Sequence, residues 1–463
     1  PDHLAVELGD IVTVPLGKRD LKGVVWGAGS LEVPDQKLKD IKEVSDLPRV
    51  ALPLRQLIDW VAAYTLSPPG AVLRMTLNVP SALEPLRTTT AYIPTPERDR
   101  LALTDSRIRM TEARQRVLAT LAEGPPRSAA VVARAAGVSA AVVRGMADAG
   151  LLRPISVTPE IDLPAPEWQR AGPVLSAAQD EAATALIGDV QKAGAEGGFS
   201  VTLLDGVTGS GKTEVYFEAI AAALARDRQV LVLLPEIALT AQWLERFYRR
   251  FGAAPLEWHS DLTGVERRLG WRAVISGKAQ VVVGARSSLF LPFPELGLIV
   301  IDEEHDSSFK QEDGVIYNAR DMAVVRGRLG DIPVVLASAT PSLETVTNAE
   351  TGRYRRLRLP ERHGGAQLPT ITAIDMRQES LERQSWLSQS LQQAIAHTLA
   401  AGEQTMLFLN RRGYAPLTLC RHCGHRLECP NCTAWLVEQR LRGRLECHHC
   451  GLSIRPPEIC PEC

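Results

Sequence analysis

Residues 200 to 224 read SVTLLDGVTGSGKTEVYFEAIAAAL. A short apolar run breaks into a glycine-rich turn, and the turn opens into an alanine-rich helical stretch. Within it GVTGSGKT, Gly206 to Thr213, satisfies the phosphate-loop pattern G-x4-G-K-T. Glycines such as Gly206, Gly209 and Gly211 let backbone N–H groups close around phosphate oxygens at a helix N-terminus. Lys212 offers a point charge to β and γ phosphates, and the Thr213 hydroxyl can hold Mg²⁺. ATP with Mg²⁺ is therefore the expected ligand. The rhythm continues outward: QVLVLLP, AQVVVGA, LGLIVID and PVVLASA are short buried-strand runs, each followed by a turn or a helical segment. A mostly parallel sheet with helices on both faces is expected from residue 175 onward, its ligands beyond the strands' carboxyl ends.

A second stretch, Ile299 to Asp321, supplies acids at such an end: IVIDEEHDSSFKQEDGVIYNARD. Asp302 can hold Mg²⁺ through water, and Glu303 can orient and deprotonate an attacking water. His305 can sense the γ phosphate and relay its state. The loop that follows carries Phe309, Lys310, Tyr317 and Arg320, aromatic faces and cations of the kind that stack on bases and meet phosphates.

A chain of 463 residues exceeds one ordinary core and implies roughly three or four domains. Its formal net charge of -2 argues against a protein that coats nucleic acid by bulk charge. No run reaches the ~18 apolar residues of a membrane span, and PDHLAVELGD lacks the regions of a signal peptide, so a cytoplasmic chain is expected. All eight cysteines lie between Cys420 and Cys463. They form four C-x2-C knuckles, Cys420/Cys423, Cys429/Cys432, Cys447/Cys450 and Cys460/Cys463, enough thiolates for two tetrahedral Zn²⁺ sites. Spacing alone leaves nested and sequential pairing open.

The N-terminal half is built differently. IVTVPLGKRDLKGVVW reads as short strands around a Gly-Lys turn, and LRQLIDWVAAYTL as a helix. Residues 86–110 are Thr-, Pro- and Arg-rich and read as a linker. In VVARAAGVSAAVVRGMADAGLL a helix stops at Gly137, Ser139 can cap a second, and Gly150 ends it before a strand, the outline of a winged helix over 111–158. Residues 159–174 form a second linker.

The motifs GVTGSGKTEVY, LLPEIALTAQ, GARSSLFLPF, DEEHDSSFKQ, ASATPS and LFLNRRGYA stand in an order that resembles the PriA family, the bacterial replication-restart (primosomal) DNA helicases of superfamily 2. The resemblance extends over nearly the whole chain. It implies a multidomain α/β protein with a RecA-like P-loop helicase lobe over 175–355. Residues 356–417 would begin a second RecA-like lobe, incomplete in this chain, followed by a zinc-binding region over 418–463. Residues 1–85 would form a β-rich domain that binds a 3′ DNA end. The implied activity is ATP-dependent 3′→5′ unwinding at stalled or abandoned forks, initiating primosome assembly. A non-catalytic fork-binding scaffold is the alternative.

Residue by residue, the resemblance implies that Gln179, in LSAAQ, contacts adenine. It sets Phe309, Lys310, Tyr317 and Arg320 near single-stranded DNA, and Arg286, Ser287, His259 and Ser260 near its backbone. Gly17 and Lys39 would serve the 3′ end. It also implies nested zinc pairing, Cys420, Cys423, Cys460 and Cys463 on one ion and Cys429, Cys432, Cys447 and Cys450 on the other, with His422, His425, His448 and His449 as bystanders. Implied partners are branched and single-stranded DNA, single-stranded-DNA-binding protein, other primosome proteins and the replicative helicase loader, for a monomer that engages no membrane. The family's Phe-Asp-Tyr segment is expected before Pro1, and its final helicase motifs, with their arginine, have no counterpart in the sequence. On that basis residues 1–463 are expected to bind ADP or ATP through Lys212 and Thr213 but to hydrolyse ATP poorly and not to unwind DNA.

Overall fold

The computed structural model describes residues 5–29, 34, 37–86, 88–96, 110–122, 126–158, 161–194, 197–235, 241–362, 369–376, 378–379, 387–408, 420, 422–432, 434–439, 444–447 and 449–463. The chain divides into two units, Pro1–Ala366 and Gln367–Cys463. In the first, the strands Ile11–Leu16 (β1) and Arg19–Val24 (β2) form a hairpin about Gly17, whose φ of 63° suits a residue without a Cβ. Glu43–Val44 (β3) pairs with the other edge of β1. Two helices follow, Leu52–Thr65 (α1) and Pro69–Thr76 (α2), each with a proline in its first turn, where the missing N–H costs nothing.

The winged-helix outline is present, with a correction to its boundary. Thr89–Pro94 (β4) lies inside the stretch read as linker, yet it is the central strand of a three-stranded sheet. Its partners are Arg127–Ser128 (β5) and Leu152–Val157 (β6), and between them lie the helices Glu112–Ala122 (α3), Ala129–Ala136 (α4) and Ala140–Asp148 (α5). Gly137 ends α4 in the left-handed conformation as expected, whereas Ser139 precedes α5 without a side-chain capping bond. Tyr92 of β4 packs with Val117, Val132, Val143 and Met146 from the three helices, so the strand belongs to this core.

Beyond the second linker the parallel sheet appears. The chain runs through Ala177–Lys192 (α6), Ser200–Gly206 (β7), Lys212–Leu224 (α7), Gln229–Leu233 (β8), Ala241–Phe251 (α8), Leu256–Trp258 (β9), Gly264–Ile275 (α9) and Val281–Gly284 (β10). It continues through Leu296–Asp302 (β11), the two-residue strands Lys310–Gln311 (β12) and Tyr317–Asn318 (β13), Ala319–Leu329 (α10), Pro333–Ser338 (β14), Leu343–Glu350 (α11) and Arg355–Leu359 (β15). Seven strands in the order β15-β7-β14-β11-β8-β10-β9 pair in parallel throughout. The lobe thus reaches Leu359, beyond the boundary expected at 355, because β15 closes one edge of its sheet.

Burial on both faces explains the continuous apolar runs. Leu231, Leu233, Ile299, Ile301, Val334 and Leu336 belong to one core, while the alternating Val230, Val232, Leu298, Val300, Val335 and Ala337 belong to the other. The first core also takes in Leu54, Leu57, Ile58 and Val61 of α1, so the N-terminal helices complete a layer of the lobe. The strand order sets β7, β14 and β11 side by side, bringing the phosphate loop, the Ser-Ala-Thr turn and the acids to neighbouring strand ends.

In the second unit, Ser388 accepts from Leu391 N–H and starts the helix Gln389–Ala400 (α12). Of the strand expected in TMLFLN, residues 405–408 carry no regular structure and the last two lie outside the described residues. Most of LFLNRRGYA and the centre of LLPEIALTAQ also lie outside them. The cysteine region contains Val437–Gln439 (β16), Arg444–Glu446 (β17) and Ser453–Ile454 (β18) in one antiparallel sheet.

Candidate nucleotide site and metal centres

The phosphate loop is held by geometry that only glycine tolerates. Gly209 and Gly211 have φ of 81° and 80°, and a Cβ on Gly211 would lie 2.4 Å from Gln179 Nε2. A Cβ on Gly206 would lie 2.4 Å from Ser210 Oγ. Gly211 opens α7, so the amides of Lys212 and Thr213 belong to its first turn and add the positive end of the helix dipole. Lys212 is 8% exposed and its Nζ donates to Gly206 O at 2.8 Å. Ser210 Oγ is buried without a hydrogen-bond partner, a donor the protein leaves for an outside oxygen. These features fit a phosphate chain.

Gln179 is at this loop, but its amide is engaged within the protein. Its Oε1 accepts from Ser176 N at 2.8 Å in a capping box at the start of α6, and its Nε2 donates to Ser210 O at 2.8 Å. It braces the loop from behind.

At the end of β11, Asp302 Oδ2 accepts from Tyr216 Oη at 2.9 Å, and Tyr216 Oη in turn accepts from Trp243 Nε1 at 2.7 Å. Burial raises the Asp302 carboxyl above an ordinary aspartate and the Glu303 charge adds to this, while the Tyr216 hydroxyl, the Glu303 N–H and Lys212 act in the opposite sense. Glu303 has a φ of 50°, rare for a residue with a Cβ, and its own N–H donates to Asp302 Oδ1 at 3.0 Å. His305 Nδ1 lies 2.8 Å from Ser338 Oγ and 3.6 Å from Glu303 Oε2, and Thr340 N donates to the same Ser338 Oγ at 3.0 Å. The histidine therefore bridges the acids of β11 and the Ser-Ala-Thr turn that follows β14.

Two residues at this site had no signal in the motifs. Tyr216 reads as a core aromatic of α7, and only the fold reveals its hydroxyl on Asp302. Glu304 reads as one more acid in a run, yet its side chain is fully buried and accepts from Ser342 N at 2.7 Å, Thr345 Oγ1 at 2.9 Å, Ser342 Oγ at 3.1 Å and Arg320 Nη1 at 3.2 Å. Three consecutive acids thus divide their tasks between a buried hub and a half-open site.

Of the residues expected near single-stranded DNA, three are corrected. Phe309 and Tyr317 are 1% and 3% exposed and belong to the core that includes α1; Tyr317 stands edge-on to Phe290 at 5.3 Å. Their ring faces serve packing. Arg320 is buried and spans Glu304, Asp321 Oδ1 at 2.8 Å and Ser342 Oγ at 2.6 Å, so its charge is used inside the lobe. Arg286 Nη1 donates to Ser308 O at 3.0 Å and Lys310 O at 2.8 Å, fixing the loop. Lys310 is exposed, 3.3 Å from Glu312. His259 Nδ1 accepts from Asp261 N at 3.3 Å and Ser260 Oγ donates to Asp261 Oδ1 at 3.2 Å, a local turn. Gly17 tops the N-terminal hairpin and Lys39 is exposed.

The cysteines gather in the nested arrangement. Cys420, Cys423, Cys460 and Cys463 form one quartet and Cys429, Cys432, Cys447 and Cys450 the other, with all sulfurs of each within 4.8 Å of one another. Cross-knuckle Sγ–Sγ distances are 3.7 Å in the first and 3.4 Å in the second. A tetrahedron of Zn–S bonds of about 2.3 Å has edges of about 3.8 Å, and the thiols are free rather than disulfide-bonded. Both quartets therefore fit zinc. His422, His425 and His449 supply no ligand to either group, and His448 lies outside the described residues.

Residues 177–349 match a family described as DEAD/DEAH box helicase, residues 1–78 the 3′ DNA-binding domain of PriA, and residues 429–455 the PriA DNA helicase Cys-rich region. The protein named replication restart protein PriA from Rickettsia felis is 37% identical over 465 residues, covering 100% of this chain and 59% of its own length. Its namesake from Haemophilus influenzae is 34% identical over 478 residues, covering 100% of this chain and 63% of that protein. The Bacillus subtilis protein of the same name is 44% identical over 264 residues, 57% of this chain and 33% of its own. The chain thus spans 59% of the length of the Rickettsia felis relative it matches end to end. With an N-terminal DNA-binding domain, a helicase domain and a cysteine-rich region in that order, and identity to these relatives along its whole length, the chain belongs to the PriA family of replication restart proteins.

Proposed function

We propose that the chain is the ATP-binding core of a DNA helicase that moves 3′→5′, recognises stalled or abandoned forks and starts primosome assembly. The observation that carries this reading is the convergence of Lys212, Asp302 and the His305–Ser338 bond at three adjacent strand ends. Lys212 and the loop amides bind the phosphates, and Thr213 and Asp302 are placed to hold Mg²⁺, which supplies charge neutralisation for phosphoryl transfer when bound. Glu303 orients the attacking water and takes its proton. Through His305, Ser338 and Thr340, and through the Glu304–Arg320–Ser342 hub, the state of the site is felt by the loop carrying Lys310. The amide of Gln179 has one N–H left for a base. Branched and single-stranded DNA are the proposed substrates, with Gly17 and Lys39 at a 3′ end and Arg286 and Ser287 by a backbone. Single-stranded-DNA-binding protein, primosome proteins and the helicase loader are the proposed partners of a cytoplasmic monomer. Among the described residues no single helix is long and apolar enough to cross a membrane.

The test is ATP hydrolysis with and without branched DNA, on the longest natural chain that carries this sequence. Stimulation by DNA that is lost in Lys212→Ala supports the motor. Fork binding with no DNA-stimulated hydrolysis would make the protein a scaffold.

A further inference from the structure

A cavity of about 330 Å³ lies between α2 and the β12–β13 loop, at the carboxyl end of β10. Arg74 and Asn78 of α2, Ser287, Gln311 and Tyr317 line it, and no carboxylate does. Arg74 and Asn78 are exposed, and neither makes an ion pair or a side-chain hydrogen bond with a described residue. Tyr317 is different in kind. Its ring is locked by Phe290, yet its hydroxyl is buried and has no hydrogen-bond partner. Such a group costs about 1–3 kcal/mol unless something accepts its proton. Gln311 cannot donate to it, because its Nε2 is used on Asp313 O and Val315 O, which holds the loop closed at the cavity wall.

Four side chains therefore offer N–H or O–H donors to one volume that contains a cation and lacks an anion. We propose that this cavity binds a phosphate group, and that the group is a phosphodiester of a single nucleic-acid strand. The chemistry is that of a multi-oxygen anion: a guanidinium for charge, an amide and two hydroxyls for direction. A strand is favoured over a free ion because the donors come from two parts of the chain, α2 and the ends of the central sheet, more than 200 residues apart, and the exposed side of α2 leaves the volume open to a polymer. A strand seated here would link the N-terminal helices to the loop that follows His305. The proposal rests on the reading of the chain as a DNA motor and adds a contact to it.

The test measures binding of a fluorescein-labelled oligothymidylate by anisotropy over a salt series, for the parent, Arg74→Ala and Tyr317→Phe. Arg74 is exposed and Phe keeps the ring, so both variants retain the fold. Arg74→Ala is expected to weaken binding about tenfold and to reduce the slope of log affinity against log salt by about one. Tyr317→Phe is expected to weaken it about two- to tenfold with ADP affinity unchanged. If the parent binds and both variants match it in affinity and slope, the site is overturned and the motor reading stands. If the parent binds no oligonucleotide, the motor reading falls and takes the site with it. In a second arm, orthophosphate is followed by ³¹P line broadening. Broadening lost in Arg74→Ala while oligonucleotide binding is untouched would assign the site to a free anion and overturn the strand.

Discussion

Asp302 shows most directly what a functional residue costs its fold. Burial raises its pKa above that of the unfolded chain, so its ionised form is disfavoured in the folded protein. The sign follows: its contribution to stability is fully present below the ordinary aspartate pKa and is lost as the pH rises through the raised value. Asp302→Asn keeps the acceptor for Tyr216 and removes the charge. It is expected to melt above the parent at neutral pH, with the difference closing as the pH falls below about 4, and to lose Mg²⁺-dependent nucleotide affinity. Equal melting at both pH values would contradict the burial argument. Glu304 behaves oppositely, being a buried charge with a buried partner. Arg320→Ala leaves it uncompensated and should lower unfolding free energy by about 3–5 kcal/mol in urea titrations; a loss confined to DNA affinity would return Arg320 to the role the motif suggested. Lys212, Thr213, Asp302 and His305 were legible because phosphate and Mg²⁺ chemistry demand fixed residues at fixed spacing. Glu304 and Tyr216 were not, since their roles depend on donors 16 to 86 residues away.

At the scale of elements, the buried strands were legible as apolar runs and the edges were not. β15 reads RRLRL because it borders the sheet: its arginines pair outward, Arg355 with Asp189 and Arg356 with Asp205, while Leu359 is buried. β9 has three residues, too few for a pattern. β4 was hidden among threonines and prolines because its pairing is with residues about sixty positions on. The loop after β11 misled for the opposite reason. Aromatics in a polar stretch look solvent-facing, but the loop folds back beneath α2 and α1. Phe309→Ala is therefore expected to cost about 3–5 kcal/mol of stability by urea denaturation. Unchanged stability with reduced DNA-stimulated hydrolysis would show that the ring serves a base instead.

At the scale of the whole molecule, the two units call on different sources of stability. Pro1–Ala366 contains three of the four apolar cores, whereas the cysteine region has a small one built around Cys429, Leu436, Leu445 and Cys447. Zinc must supply what that core lacks. Elemental analysis should find two zinc ions per chain, and chelation should melt β16–β18 while leaving ADP binding by the first unit intact. One ion or fewer in fresh protein, or joint loss of ADP binding, would contradict this. The nested pairing came from resemblance and not from spacing, since C-x2-C knuckles close equally well in sequence order; the fold brings first and last knuckles together. The central claim is that nucleotide is held by the loop at β7 together with the acid at β11. Titration calorimetry of ADP with Mg²⁺ tests it directly. One site per chain is predicted, weakened roughly 10- to 100-fold by Lys212→Ala; no binding, or binding indifferent to that substitution, would contradict it.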